Sequence, residues 1–328
     1  MDPSTVLVLV VVVALLFEFA NGWNDAANSI ATIVSTRVLT PLPAVAWAAF
    51  WNFAAAFIFG TAVARTIGSK MINLDMVNEW VLLAGLIGAI VWTGVCTWMG
   101  LPISVSHSLI AAYAGSAVAH AGFAAIIAGG WIKPVIGIVV APFAGLFAAV
   151  LLSILATWVV RRMAPQKIDR WFRRLQLASS AAFSLGHGTN DAQKGMGIIT
   201  AALVTSGALT EYEVPFWVIM ICHLAIAAGT LGGGWRVIKT MGQRITKLTP
   251  FSGFAAETAA AFTLFGTAGT GIPASTTHTV TGAIIGVGAS RRITAVRWGV
   301  TRRIMLAWVT TIPGAAALGA AFYYLLGQ

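Results

Sequence analysis

Apolar segments long enough to cross a bilayer recur along the whole chain, and this feature constrains the fold most. A transmembrane helix needs about 20 mainly apolar residues. Stretches of about that length lie at residues 4–36, 43–66, 79–99, 102–120, 134–160, 176–207, 214–235, 250–270, 273–290 and 304–327. With 58% hydrophobic and 9% charged residues, the chain has too little polar surface for a water-soluble globule. The sequence therefore predicts an all-α polytopic membrane protein with about ten spans.

The basic residues collect on one side of these predicted spans. If the spans alternate in direction, sixteen of the 20 Lys and Arg residues share one side, and only Arg65, Lys70 and Lys133 lie in loops on the other. Basic loops stay in the cytoplasm, so we expect a cell-membrane protein with both termini outside. We interpret the basic clusters at residues 161–174 and 291–303 as anchors of this topology, and not as a surface for nucleic acid.

Two motifs each occur twice in the chain. Gly-x-Asn-Asp-Ala occupies residues 22–26 and 188–192, and a Gly-x-Pro-x-Ser motif opens residues 100–108 and 271–279. The two copies of the first motif are 166 residues apart and those of the second are 171 residues apart. This nearly constant separation predicts two repeats, residues 1–165 and 166–328. Five predicted passes separate the copies, so the second repeat should be inverted relative to the first. Whether the Gly-x-Pro-x-Ser segments form re-entrant hairpins stays open, but two fewer passes would leave this parity unchanged.

Each Asn-Asp motif interrupts an apolar run with glycine and a carboxylate. A charged side chain at that depth in the membrane is costly, so we expect it to be part of a binding site. We therefore expect the helices to break at residues 21–22 and 186–188, where such a site could form. Inverted repeats with broken helices are typical of secondary transporters, whose binding sites lie near the membrane midplane. The simpler alternative is that Asn and Asp only cap a half-helix.

Oxygen-bearing side chains at this depth are candidate ligands for a coupling cation. Amide and carboxylate oxygens suit Na⁺, and a carboxylate can also take a proton. Asp25 and Asp191 would be the direct ligands of a sodium ion. The full candidate set is Asn24, Asp25, Asn28, Asn190, Asp191 and Glu257.

Hydroxyl and basic groups make a second candidate set, for an anionic substrate. Pro102 and Pro273 are expected to open a helix, whose first N–H groups could then cradle an anion. Lys194 could pair with Asp191 or contact the anion directly. Hydroxyls in membrane helices also bond to the preceding turn, which is the alternative for each of them. The candidates are Ser104, Ser106, His107, Lys194, Ser275, Thr276, Thr277 and His278.

At these residues the chain resembles the inorganic phosphate transporter (PiT) family, and in particular bacterial low-affinity phosphate permeases. The matching stretches are residues 21–32, 102–112, 187–199, 231–244 and 257–282. The resemblance implies ion-coupled phosphate import, a homodimer, and aspartates that act with the Ser-x-Ser/Thr-His segments. The chain departs from eukaryotic relatives in having Asn52 in place of Glu, and it lacks a large hydrophilic loop between the repeats.

These observations favour a secondary transporter that imports inorganic phosphate by alternating access, and not an enzyme. The coupling cation could be H⁺ or Na⁺, and the resemblance adds a divalent metal that travels with phosphate; no other cofactor is expected. A sulfate permease of the same superfamily is the alternative within this class. An intramembrane lipid-phosphate phosphatase is a less favoured alternative, because the chain shows two symmetric sets of residues and no nucleophile beside a distinct base.

Overall fold

The regular structure in the computed structural model, which describes residues 3–58 and 60–326, is helical apart from an isolated β-bridge between Ile72 and Ile126. Residues 1–2 and 327–328, at the ends of the predicted repeats, and residue 59, in the predicted second span, lie outside the described residues. The α-helices are α1 (Pro3–Ser35), α2 (Pro41–Ala54), α3 (Ala62–Arg65), α4 (Glu79–Met99), α5 (Val105–Ala121), α6 (Ile132–Val160), α7 (Pro165–Thr205), α8 (Phe216–Gly232), α9 (Trp235–Lys239), α10 (Pro250–Thr270), α11 (Thr276–Ala289) and α12 (Trp298–Leu326).

Several of these helices can cross a membrane by length and composition. Within the described residues, five continuous helical stretches qualify, namely α1, α4, α12 and the stretches that contain α5 and α6. Two bent pairs bring the number to as many as seven: α2 with α3, bent by 78°, and α8 with α9, bent by 65°. The predicted all-α, multi-pass membrane fold is confirmed. The total of ten spans and the inverted arrangement of the two repeats stay predictions.

Helix breaks are present, but the predicted positions were wrong. Both α1 and α7 run unbroken through their Asn-Asp motifs. The motif glycines instead allow close packing between helices. A Cβ on Gly22 would lie 2.1 Å from the carbonyl oxygen of Ile226 in α8, and one on Gly188 would lie 2.5 Å from that of Asn52 in α2. The bends lie in α2–α3 and α8–α9, where Gly233 ends α8 with a φ of 57°.

Two apolar cores flank the middle of the two long helices. One core contains Phe17 from the first half of α1 and Met196 from the second half of α7. The other contains Ile30 from the second half of α1 and Phe183 from the first half of α7. The polar motif residues of both helices lie between the cores, so packing on each side holds them at the centre of the molecule.

The helices α5 and α11 begin after the short links that carry the duplicated prolines. The prediction that Pro102 and Pro273 open these helices was wrong, since both prolines lie two residues before the N-cap. Ser104 and Ser275 are the caps, and each hydroxyl accepts a hydrogen bond of 3.2 Å from the backbone N–H three residues later. A serine cap satisfies a helical N–H that proline cannot, which explains the shift.

Candidate functional site

A buried cluster of charged side chains lies where α1 crosses α7. His187, Asp191 and Lys194 occupy one face of α7, because residues four and three positions apart are neighbours on a helix. Asp25 faces them from α1. The ligand atoms of Asp25, His187 and Asp191 lie within 4.8 Å of one another. Each of the four side chains is at most 2% exposed.

Asp191 is held by two basic groups of its own helix. Its Oδ2 lies 2.9 Å from Nζ of Lys194 and 3.3 Å from Nε2 of His187. A buried carboxylate needs such partners, because an unpaired charge away from water is strongly destabilising. The expected pairing of Lys194 with Asp191 is thus present, and it places an amino group directly beside this carboxylate.

Asp25 has a different set of neighbours from its counterpart in α7. The hydroxyl of Thr277 donates to its Oδ1 at 3.1 Å, and that of Thr276 donates to its Oδ2 at 3.3 Å. Among the described residues, the basic group in ion-pair distance is Nε2 of His187, at 4.0 Å. Thr276 also approaches Oδ2 of Asp191, at 3.4 Å. The two aspartates are therefore equivalent in sequence, but only Asp191 is paired directly with an ammonium group.

A chain of hydrogen bonds orients the imidazole of His187. Thr230 donates to the carbonyl of Ile226, so its Oγ1 is free to accept a bond of 3.0 Å from the Asn52 amide nitrogen. This leaves the Asn52 amide oxygen to accept from Nδ1 of His187 at 3.1 Å. With Nδ1 protonated, Nε2 of neutral His187 carries a lone pair that points at the two carboxylates, and the lone pair and the carboxylate oxygens repel each other. A proton or a metal cation bound between them would remove this repulsion.

The three asparagines of the candidate cation-binding set bond through their amide nitrogens. Asn28 donates to Thr277 at 2.9 Å, Asn24 to Thr97 at 2.5 Å, and Asn190 to the carbonyl of Leu264 at 3.0 Å. Their amide oxygens are buried and have no hydrogen-bond partner among the described residues. Oδ1 of Asp191 is also buried and has no hydrogen-bond partner among the described residues. Buried oxygens without donors are suitable ligands for a cation.

The predicted anion-binding residues divide into two groups. Lys194, Thr276 and Thr277 contact the aspartates or their partners, as described above. Ser104 and Ser275 cap their helices, and Ser106 is buried in the first turn of α5.

The duplicated histidines have an apolar environment. The ring of His278 stacks on the ring of Trp308, with 3.7 Å between the ring centroids. The ring of His107 contacts the His278 ring edge-on, with 4.7 Å between the centroids. Both rings line an apolar groove with Pro142 and Met305. The first turns of α5 and α11 therefore converge, but the ion pairs of the aspartates within the described residues involve His187 and Lys194.

Glu257 lies in α10 and accepts hydrogen bonds away from the aspartate cluster. Thr32 and Ser179 each donate at 2.5 Å, and Gln176 donates at 3.0 Å. Thr32 follows Asp25 by two helical turns, which places it about 10 Å further along α1. The predicted coupling role of Glu257 would therefore act through α1 and α7, the two helices that carry the aspartates.

Two site residues have no assigned role in the sequence analysis. His187 directly precedes the second Gly-x-Asn-Asp-Ala motif, and its spacing of four from Asp191 would have placed both on one helical face. That signal was lost because a break was expected at residues 186–188. Glu18 is fully buried and accepts a bond of 2.5 Å from the backbone N–H of Gly195 and one of 3.3 Å from Asn21. Its position one turn before the motif was the available signal.

The cluster combines groups suited to a cation with groups suited to an anion. Two carboxylates and one imidazole nitrogen are a donor set that binds protons and divalent metals well. The Lys194 ammonium, two threonine hydroxyls and the converging starts of α5 and α11 are suited to an oxyanion. Opposite charges in one buried volume allow a cation and an anion to bind together, where either alone would be disfavoured.

Comparisons with known proteins agree with this architecture. The model of the phosphate transporter family matches residues 21–319. A probable low-affinity inorganic phosphate transporter of Rhizobium meliloti (strain 1021) is 52% identical, over 97% of this chain and 96% of its own. One of Bacillus subtilis (strain 168) is 41% identical, over 100% and 99%.

A solved structure also shares the fold. It is described as a sodium-dependent phosphate transporter and aligns with a TM-score of 0.89 at 26% identity, over 98% of this chain and 99% of its own. With a family match across most of its length and these similar relatives, the chain belongs to the phosphate transporter family.

Proposed function

We propose that this protein imports inorganic phosphate across the cell membrane, driven by a cation gradient. The observation that carries the proposal is the buried cluster of Asp25, Asp191, His187 and Lys194 beneath the hydroxyls of Thr276 and Thr277. The relatives named above are phosphate transporters, which supports phosphate as the substrate and transport in place of catalysis.

The charges of the cluster give a physical reason for coupling. Two carboxylates and one ammonium leave one uncompensated negative charge when His187 is neutral. A phosphate anion would be repelled by that charge in a site of low dielectric constant. A bound cation removes the repulsion, so each ligand raises the affinity for the other, which is the thermodynamic basis of symport.

We propose a proton as the coupling ion. Lys194 already supplies a fixed cation beside Asp191, so Asp25 and His187 are left to bind the mobile one. An imidazole nitrogen is a good proton acceptor, whereas Na⁺ prefers oxygen ligands. The sodium-dependent solved relative makes Na⁺ the competing choice, and the unpartnered asparagine oxygens would serve it.

A divalent metal that travels with phosphate as cargo fits the same donors. Asp25, His187 and Asp191 would hold such an ion, and phosphate oxygens would complete its coordination. Uptake that rises with Mg²⁺ and carries labelled metal in proportion to phosphate would support this form of the substrate.

Alternating access by two inverted repeats, residues 1–165 and 166–328, is the transport cycle that we propose. The bent pairs α2–α3 and α8–α9 occupy corresponding positions in the two halves and support this arrangement. The distribution of basic loops supports both termini outside. We also propose a homodimer within the bilayer, on the basis of family resemblance.

The proposal is tested by uptake of labelled phosphate into proteoliposomes, with proton and sodium gradients imposed separately. We expect uptake to follow the proton gradient when Na⁺ is replaced by choline. Uptake that needs Na⁺ and ignores pH would overturn proton coupling alone. No uptake under either gradient would overturn phosphate import.

Two further measurements address the alternative functions. A sulfate permease would show strong competition of unlabelled sulfate against phosphate, and we expect little, since sulfate cannot donate a hydrogen bond to a carboxylate. A lipid-phosphate phosphatase would release phosphate from a lipid pyrophosphate in detergent, and we expect none.

A further inference from the structure

A cavity with none of the aspartate-cluster residues in its lining lies where α6 ends and α10 begins. Its volume is about 430 Å³, within the range of small-ligand sites. Arg161 lines it from the end of α6 and Arg291 from the end of α11. Ser252 adds the first turn of α10, whose N-terminal end attracts anions. No acidic side chain is among the lining residues that the structure describes.

Both arginines are held in place by contacts within the protein. The guanidinium of Arg161 lies 4.9 Å from the ring centroid of Trp158, a cation–π distance. Arg291 donates to Oγ1 of Thr249, the N-cap of α10, at 2.8 Å and to the carbonyl of Lys247 at 3.4 Å. Pre-oriented guanidinium groups bind phosphate oxygens with good geometry.

The rest of the lining combines an apolar wall, which continues onto the outer face of α6, with the hydroxyl side chains of Ser153, Thr157 and Ser290. Ile154, Trp158, Phe251 and Val287 form the apolar wall. Ile154 and Trp158 are 58% and 63% exposed, as expected of side chains that face acyl chains. A ligand that fills the cavity should therefore have an anionic phosphate end and an apolar body.

We propose that this cavity binds the headgroup of an anionic phospholipid, with the phosphate between Arg161 and Arg291 and the acyl chains along α6. Basic pockets between helices at the cytoplasmic side of a membrane are suited to such headgroups. Free phosphate shares the anionic end of this chemistry but has no use for the apolar wall. The site does not depend on the transport function proposed above.

The test is lipid binding to the full-length protein in neutral detergent, measured by native mass spectrometry with added phosphatidylglycerol or phosphatidylcholine. We expect phosphatidylglycerol to be retained preferentially. The double variant Arg161→Ala/Arg291→Ala should lose this preference, by about five-fold in affinity for each arginine. Arg170→Ala is the matched control, because Arg170 is an exposed arginine on the same predicted side and outside the cavity.

Substitution of both arginines by lysine keeps the positive charges, so it distinguishes a loss of charge from a loss of folded protein. Arg161→Lys/Arg291→Lys should keep most of the preference and the same elution volume on gel filtration as the parent protein. Equal retention by the parent and the alanine double variant would overturn the proposal. Displacement of the lipid by millimolar inorganic phosphate as readily as by excess phosphatidylglycerol would also overturn it and assign the site to free phosphate.

Discussion

Nζ of Lys194 lies 2.9 Å from Oδ2 of Asp191. Lys194 follows Asp191 by three residues, and Asn28 follows Asp25 by the same spacing. This ion pair is 1% and 0% exposed at its two side chains. Removing one partner of a buried pair leaves an uncompensated charge and destabilises a protein by about 3–5 kcal/mol. We expect Lys194→Met to lower the Tm of the purified protein markedly.

The double variant Lys194→Met/Asp191→Asn checks the origin of that effect. It should be more stable than Lys194→Met alone, since no unpaired charge remains. Lys167→Met, at an exposed lysine, should leave the Tm unchanged. Equal Tm values for the two variants at Lys194 would contradict the pairing.

Asp25 should behave differently from Asp191 when its charge is removed. Its direct hydrogen-bond partners among the described residues are threonine hydroxyls, which can also bond to an amide oxygen. Asp25→Asn should therefore change the Tm less than Asp191→Asn does, because Asp191→Asn leaves Lys194 unpaired. Phosphate uptake by Asp25→Asn should fall by more than about 100-fold, the upper end for groups that only orient a ligand. Uptake at the parent rate would exclude Asp25 from coupling.

Asn52 is expected to act by orienting His187. Asn52→Leu removes the acceptor of the Nδ1 proton, so uptake should fall about 10–100-fold. Asn52→Asp keeps an acceptor and should retain more activity than Asn52→Leu. The two variants are compared by initial rates across a range of external pH. A residue that only fills space would give the same pH profile as the parent, at a lower rate.

Thr277 is expected to support both Asp25 and Asn28. Thr277→Val keeps the shape but removes the donor to Oδ1 of Asp25 and the acceptor for the Asn28 amide. A lost hydrogen bond to a charged group weighs about 1.5–3 kcal/mol, which predicts a roughly ten- to 100-fold fall in kcat/KM for phosphate. Thr281→Val, one turn further along α11, is the matched control. A similar loss in both variants would indicate a packing effect.

Gly22 should tolerate no side chain. A Cβ there would lie 2.1 Å from the carbonyl oxygen of Ile226, so Gly22→Ala must separate α1 from α8. We expect poor yield of folded protein on gel filtration. Gly94→Ala in α4 is the control, because no atom lies within 4 Å of a Cβ at that position. A well-folded Gly22→Ala variant with parent Tm would contradict the close helix contact.

Hydropathy was sufficient to predict the all-α membrane fold, because spanning length and apolar composition are local properties of the chain. It did not predict the bends, since the apolar stretch at residues 43–66 contains α2 and α3, which are bent by 78°. The motif aspartates were also predictable as neighbours, since a carboxylate in an apolar run needs a partner. The environment of Asp25 and the bonding of Asn52 to His187 were not predictable. They depend on which helices cross, and a single sequence contains no direct record of that.

The two motif glycines did not indicate whether their helices are broken. Gly22 and Gly188 are compatible with an unwound helix and with a tightly packed one, and composition alone does not distinguish the two. The deciding fact is the backbone of another helix at van der Waals distance, from Ile226 in one case and Asn52 in the other. Ser104 and Ser275 stay predicted ligands, and their hydroxyls also accept hydrogen bonds from the first turns of their own helices.

The two glycine contacts also bear on how the protein is made. Gly22 of the first half packs on α8 of the second, and Gly188 of the second half packs on α2 of the first. As the ribosome extends the chain, α1 has no partner for this surface until α8 has been synthesised. Neither half can complete these two contacts alone, so we expect the charges of the aspartate cluster to become fully buried only after both halves have entered the membrane.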